Sequence, residues 1–149
     1  MTTGDPARDA RAAERETLTD VLVQATFMTM AVLSSVAADN DLSLTQLRVL
    51  AILRDRRVRM SALAAYLGLD RSTMSGLIER AEKRGLAARA PDPADGRAVD
   101  VFLTRAGAEL AHALYTRIEQ ELAPSTSRLA PAQRRRLQAL LRHLVGPEQ

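Results

Sequence analysis

Between Ser61 and Arg105 the chain reads SALAAYLGLDRSTMSGLIERAEKRGLAARAPDPADGRAVDVFLTR. Few folds accommodate that order of short apolar helix, glycine turn, second helix and turn-rich basic ribbon. Leu63, Ala64 and Leu67 place apolar groups on one face of a first helix. Gly68 follows it, where a left-handed residue ends a helix at least cost. Leu69 is placed to plug the corner. Asp70 is placed to cap the next helix, because its carboxylate can accept orphan N–H groups and complements the positive helix end. Ala64, four residues before Gly68, is small enough to let two helices cross closely.

The second helix separates into faces. Met74, Leu77, Ile78 and Ala81 recur at helical spacing and are expected inside. Arg71, Ser72, Thr73, Ser75 and Arg80 fall mostly on the opposite face. In a helix that enters the major groove of DNA, the N-terminal residues usually meet base edges. Arg suits guanine and the hydroxyls suit base or phosphate. Taken alone, the same residues fit an ordinary solvated face equally well.

The following hairpin favours the DNA reading. Gly85 ends the helix, and Leu86 to Ala90 and Ala98 to Leu103 flank the turn-rich PDPADGR. Val99, Val101 and Leu103 alternate with Ala98, Asp100 and Phe102, as in a half-buried strand. Arg97 at the tip suits a narrow minor groove, whose negative potential attracts arginine. Asp95 is placed to hold Arg97 by a paired hydrogen bond; the alternative is a surface ion pair worth under about 1 kcal/mol. Together these pieces predict a mostly α fold with a small β-hairpin wing, a winged helix-turn-helix.

Charge distribution agrees. Residues 45 to 105 hold 12 Arg or Lys against 7 Asp or Glu, a net of +5, whereas the remainder holds 9 against 11, a net of −2. The basic excess thus falls in the segment expected to meet phosphate. There is no cysteine, so disulfides, thiolate metal sites and thiol-based sensing are excluded. His112 and His143 have no metal-ligand spacing, and neither metal nor cofactor is expected. No phosphate loop or nucleophile motif appears. His112 and Glu109 are i,i+3 neighbours, more often a helix surface contact than an acid–base pair. Catalysis is therefore not expected.

The ordered series LSLTQLRVLAIL (42 to 53), LAAYLGLDRSTMSGLIERAEKRGL (63 to 86), DPADGR (92 to 97) and LTRAG (103 to 107) resembles the multiple-antibiotic-resistance regulator (MarR) family of bacterial transcription factors. The resemblance implies a homodimer that represses or activates neighbouring genes. It also implies release from DNA by a small aromatic or lipophilic effector, bound beneath the winged lobe between the first two helices and the long fifth one. Phe27, Met30, Leu47 and His112 are its candidate lining; the alternative places Phe27 and Met30 in the core. Two departures stand out. The wing has Asp95-Gly96-Arg97 where the family usually has Asp-Arg-Arg, and Gly76 stands where the recognition helix often has Arg.

The remaining segments complete the organisation. Residues 1 to 16 are polar and read as a flexible N-terminus. A first helix is expected from about Thr17 to Ala38. Within it residues 21 to 38 carry no charge, close to the roughly 17 residues a membrane span needs. Five polar residues and acidic flanks favour a helix buried on most sides instead, against the winged lobe and a partner. Ser43 and Gln46 form a capping box opening a helix to about Leu53, followed by a basic loop, Arg54 to Arg59. Thr104 is expected to cap a long helix to about Leu122, broken at Pro124. Pro131 suits the first turn of a last helix, for which Ala130 is a poor cap. Residues 17–42 and 106–149 are thus expected to form a helical dimerisation region around a DNA-binding domain at 43–105. A two-fold dimer sets recognition helices about 34–36 Å apart and calls for a palindromic operator. No apolar leader is seen, so a cytoplasmic location is expected. The competing reading is a winged-helix module that binds protein and not DNA.

Overall fold

The computed structural model describes residues 15–146. The expected flexible N-terminus lies outside these for residues 1 to 14. Helix α1 (Leu18–Ala38) opens at Thr17 with a reciprocal cap. The Asp20 N–H donates to Thr17 Oγ1 at 3.2 Å, and the Thr17 N–H donates to Asp20 Oδ2 at 2.9 Å. Helix α2 (Leu44–Leu53) opens on the Ser43–Gln46 box. Then come β1 (Val58–Arg59), α3 (Met60–Leu67), α4 (Arg71–Lys83), β2 (Ala87–Pro91), β3 (Val99–Leu103), α5 (Arg105–Thr126) and α6 (Pro131–Val145).

The sheet has three antiparallel strands in the order β1-β3-β2, with Val58 opposite Val101 and Arg89 opposite Val101 on the other side. The expected loop at Arg54 to Arg59 therefore ends in a short strand. The expected alternation along β3 is also corrected. Val101 is fully buried, but Val99 is exposed and Asp100 is buried. Asp100 tolerates this because Arg57 Nε donates to its Oδ2 at 3.0 Å, while the guanidinium lies 4.7 Å from the Phe102 ring centroid. A paired charge can sit where an unpaired one cannot.

Two apolar clusters meet at α2. Val49 and Leu53 pack with Leu63, Ala64, Met74, Leu77, Ile78 and Val101 of the winged lobe. Leu47 and Leu50 pack with Val36, Ala37, Leu42, Ala111 and Leu114. The helix serves both because successive residues of its apolar face point to different sides. A polar clamp adds to this link: the Arg84 guanidinium at the end of α4 donates to the carbonyls of Asn40 and Asp41, each at 3.1 Å.

Helix α5 runs through Pro124 to Thr126 and does not break there. Proline removes one N–H donor, a small loss in the last turn of a helix long enough to keep its shape. The chain turns at Ser127 instead. Ala130 supplies no side-chain cap, but its N–H donates to Gln133 Oε1 at 2.8 Å.

Helix α6 is exposed along its whole length, including Leu137, Leu140, Leu141 and Leu144. Helix α1 is long and apolar enough to cross a membrane by length and composition, with mean hydropathy 1.8. Within one protomer only one of its faces is covered. Val32, Leu33, Val36 and Ala37 pack onto α2 and α5, whereas Leu18, Val21, Phe27 and Met28 are exposed. Phe27, 70% exposed, is thus not in the core of the protomer.

Candidate nucleic-acid interface

The turn before α4 folds as its residues dictate. Gly68 takes the left-handed conformation at φ 65°, and the Leu69 N–H donates to the Ala64 carbonyl at 2.9 Å. Asp70 then caps α4. Its Oδ1 accepts from the Thr73 N–H, and its Oδ2 accepts from the Thr73 hydroxyl, both at 2.8 Å. The Thr73 N–H, followed by the Thr73 hydroxyl, holds the Asp70 carboxyl below its ordinary pKa. With its proton committed to Asp70, Thr73 faces outward as an acceptor. Met74, Leu77 and Ile78 anchor the helix in the core, while Arg71, Ser72, Thr73 and Arg80 are exposed and Ser75 is half-buried.

A groove of about 870 Å³ separates this helix from the wing. Arg71 and Ser75 line it from α4, Ser61 and Ala65 from α3, Arg59 from β1, Arg89 from β2, and Arg97 from the wing. Its four arginines differ. Arg59 donates to Asp92 Oδ2 at 2.6 Å, and Arg89 grips Glu82 through Nε and Nη2 at 2.9 and 2.8 Å. Among the described residues, the guanidinium groups of Arg71 and Arg97 have no carboxylate partner. Of the four groove arginines, the two expected from sequence, Arg71 and Arg97, are thus the two available to a new anion. Arg59, Arg89 and Ser61 were not foreseen. Arg89 alternates with Ala88 and Ala90, which assigns it to one strand face but not to a groove.

The wing tip is built from carboxylates that accept backbone N–H groups. Asp92 Oδ1 accepts from Ala94 at 2.7 Å and Asp95 at 3.2 Å, and Asp95 Oδ1 accepts from the Arg97 N–H at 3.1 Å. Arg59, and after it the Ala94 N–H, holds the Asp92 carboxyl below its ordinary pKa. The expected side-chain pair between Asp95 and Arg97 is therefore not formed. With only Gly96 between the two residues, the carboxylate reaches the nearer main-chain donor, an arrangement typical of Asp in turns.

Away from this face, α1, α2 and α5 enclose a cleft of about 660 Å³. Met30 and Leu47 line it with Leu33, Leu50, Leu114 and Ile118, and Arg48, Tyr115 and Glu119 bring polar groups to it. Phe27 and His112 do not line it. Phe27 projects from α1 into solvent. His112 instead borders a separate polar depression beside Arg54 and Tyr115, where the Arg54 guanidinium lies 4.0 Å from the tyrosine ring centroid. Glu109 accepts from Arg105 Nε at 3.1 Å, so it pairs with arginine rather than with His112.

Comparison with known proteins settles the family. Residues 40–98 match the MarR family model. The chain is 32% identical over 120 residues to the transcriptional repressor NicR of Pseudomonas putida, covering 80% of this chain and 76% of that one. The chain belongs to the MarR family. It is a DNA-binding transcriptional regulator with the winged helix-turn-helix of that family. Among solved structures, Bordetella bronchiseptica BpsR, whose DNA binding is regulated by 6-hydroxynicotinic acid, is 30% identical with a TM-score of 0.68. That likeness covers 89% of this chain and 96% of BpsR. MarR of E. coli shares the fold at 22% identity, with a TM-score of 0.71 over 88% of this MarR-family chain and 98% of that one.

Proposed function

We propose that this MarR-family chain is a homodimeric repressor that reads a palindromic operator through paired copies of the α4–wing groove. Residues 43–105 form the DNA-reading unit, and residues 17–42 and 106–149 hold the dimer. Arg71, Ser72, Thr73, Ser75 and Arg80 contact DNA from α4, and Arg97 enters the minor groove from the wing, whose shape Asp95 fixes. The observation that carries this reading is the convergence of Arg71 and Arg97 on one groove with their guanidinium groups unpaired among the described residues. Repression is favoured by the likeness to NicR.

Dimerisation is supported by apolar surface that one protomer leaves open: Leu137, Leu140, Leu141 and Leu144 on α6, and Leu18, Val21 and Phe27 on α1. The function is binding rather than catalysis, in the cytoplasm. An effector, a small aromatic acid as for BpsR, fits the cleft of Met30 and Leu47, where Arg48 offers a cation. A ligand that prefers the conformation unable to span two half-sites must weaken DNA binding by the same factor that DNA weakens its own.

Selection of bound duplexes from a random pool, with the mass of the free protein measured in solution, tests the assignment. A dimer enriching an inverted repeat, with affinity falling steeply in salt, is the expected result. A monomer, or a pool without enrichment, would overturn it.

A further inference from the structure

The recognition helix has a bare patch in the middle of its exposed face. Ser72, Gly76 and Arg80 form one i,i+4 row, so their side chains stack along the same strip of α4. Gly76 contributes nothing to that strip. Arg80 fills the gap: its Nη1 lies 3.6 Å from the point where a β-carbon on Gly76 would stand. Helical side chains lean toward the N-terminus, so Arg80 reaches back over the turn before its own α-carbon, toward the end of α4 that carries Arg71 and Ser72.

The charges around Arg80 leave it available. Glu79 pairs with Lys83 at 3.3 Å, Glu82 is gripped by Arg89, and Asp70 is committed to Thr73. Arg80 has no carboxylate partner among the described residues. A flexible guanidinium lying over bare backbone, on the strip that includes the first-turn hydroxyl of Ser72, is where a base-edge contact would be made. A phosphate contact would be expected from the rim of the helix.

We propose that Arg80 is a specificity-determining residue that reads a guanine edge across the space left open by Gly76. Its planar fork matches guanine O6 and N7, whereas phosphate is satisfied by any compact cation. The inference rests on the DNA-reading role of α4 and adds to it a base for a residue so far given only an unspecified DNA contact.

Arg80→Lys separates the two roles, because it keeps the charge and removes the fork. Duplexes selected from a random pool by the unmodified protein serve as probes, with every base pair of the enriched site varied in turn. The expected result is that Arg80→Lys loses roughly 5- to 150-fold discrimination at one G·C position per half-site, with binding at other positions and the salt dependence unchanged. Arg80→Ala should lose the same discrimination, and the melting temperature of both variants reports that they fold. Unchanged base preference in Arg80→Lys, with a shallower salt dependence in Arg80→Ala, would make Arg80 a phosphate contact and overturn the proposal. A pool from which the unmodified protein enriches no sequence would instead remove the DNA-reading role, and this inference with it.

Discussion

A β-carbon on Gly107 would overlap the carbonyl oxygen of Leu86 and stand 3.2 Å from the Leu86 α-carbon. That carbonyl also accepts from the Thr104 N–H at 3.1 Å, while the Thr104 hydroxyl donates to the Gly85 carbonyl at 2.6 Å and caps α5 by accepting from the Gly107 N–H at 3.1 Å. The turn after the recognition helix, Thr104 just after β3 and the first turn of α5 are thus seated on one backbone contact. Because the obstacle is backbone, a side chain cannot swing aside to relieve it. Gly107→Ala is expected to destabilise the protein by about 1–3 kcal/mol or more, read as a lower urea midpoint. An unchanged midpoint would show that α5 can shift freely against the winged lobe.

Gly76 behaves in the opposite way. A β-carbon there meets only Arg80 Nη1 at ordinary contact distance. Gly76→Ala should therefore stabilise α4 by up to about 1 kcal/mol through backbone entropy alone. Thermal melting of the free protein checks this. A loss of stability would mean that the backbone at this position needs glycine for a reason outside the protomer.

How much of this was legible in sequence depends on how far each residue's partner lies along the chain. The periodicity of Met74, Leu77 and Ile78, the Asp70 cap and the Gly68 turn are local, and all read correctly. The Ser43–Gln46 box is local too. Asp100 read as outward because nothing nearby announces Arg57, which sits 43 residues away in sequence. Two residues of β1 are too few for any period to register. Periodicity also identifies an apolar face without naming what covers it. Phe27 therefore reads as pocket or core, whereas in the protomer it stands on the exposed face of α1. Rough position in α5 suggests His112 as lining, but its neighbour Ala111 and Tyr115, three residues on, line the cleft, while His112 borders the separate polar depression.

The Arg57–Asp100 pair is expected to matter more than the surface pairs. Asp100 is only 8% exposed, and without Arg57 its buried carboxylate would lose its 3.0 Å side-chain donor. Arg57→Ala should cost about 1–3 kcal/mol, with the wing loosened where β3 pairs to β1. Adding Asp100→Asn to that variant removes the unpaired charge and should restore part of the loss. If the double variant is no more stable than the single one in urea titrations, burial of the charge is not the cause.

Acid should act on α4 through its cap. The Thr73 N–H holds the folded pKa of Asp70 below the ordinary value of 3.8. A lowered folded value means that the carboxylate's contribution is fully present above the unfolded pKa and is lost as pH falls through the folded one. Asn also caps helices well but does not titrate. The stability difference between the unmodified protein and Asp70→Asn should therefore be present at pH 7 and shrink as pH falls below the ordinary value of 3.8 and through the lowered folded one, measured as urea midpoints across an acid titration. A difference independent of pH would assign the effect of Asp70 to shape rather than charge.

The wing separates two roles that sequence had joined. Asp95 holds the main chain of Arg97 and leaves its guanidinium free. Arg97→Ala should weaken binding to A·T-flanked sites by roughly 1 kcal/mol or more, and lower the salt slope by about one. Asp95→Asn keeps an acceptor for the Arg97 N–H and should bind nearly as well as the unmodified protein. Asp95→Ala removes that acceptor, lets the tip adopt other turns, and should lose part of what Arg97 contributes. Affinity on one A·T-flanked duplex across a salt series distinguishes these outcomes. If Asp95→Asn proves as weak as Asp95→Ala, the carboxylate charge is what matters, and a direct pairing of Asp95 with the Arg97 guanidinium in the DNA-bound state becomes the better account.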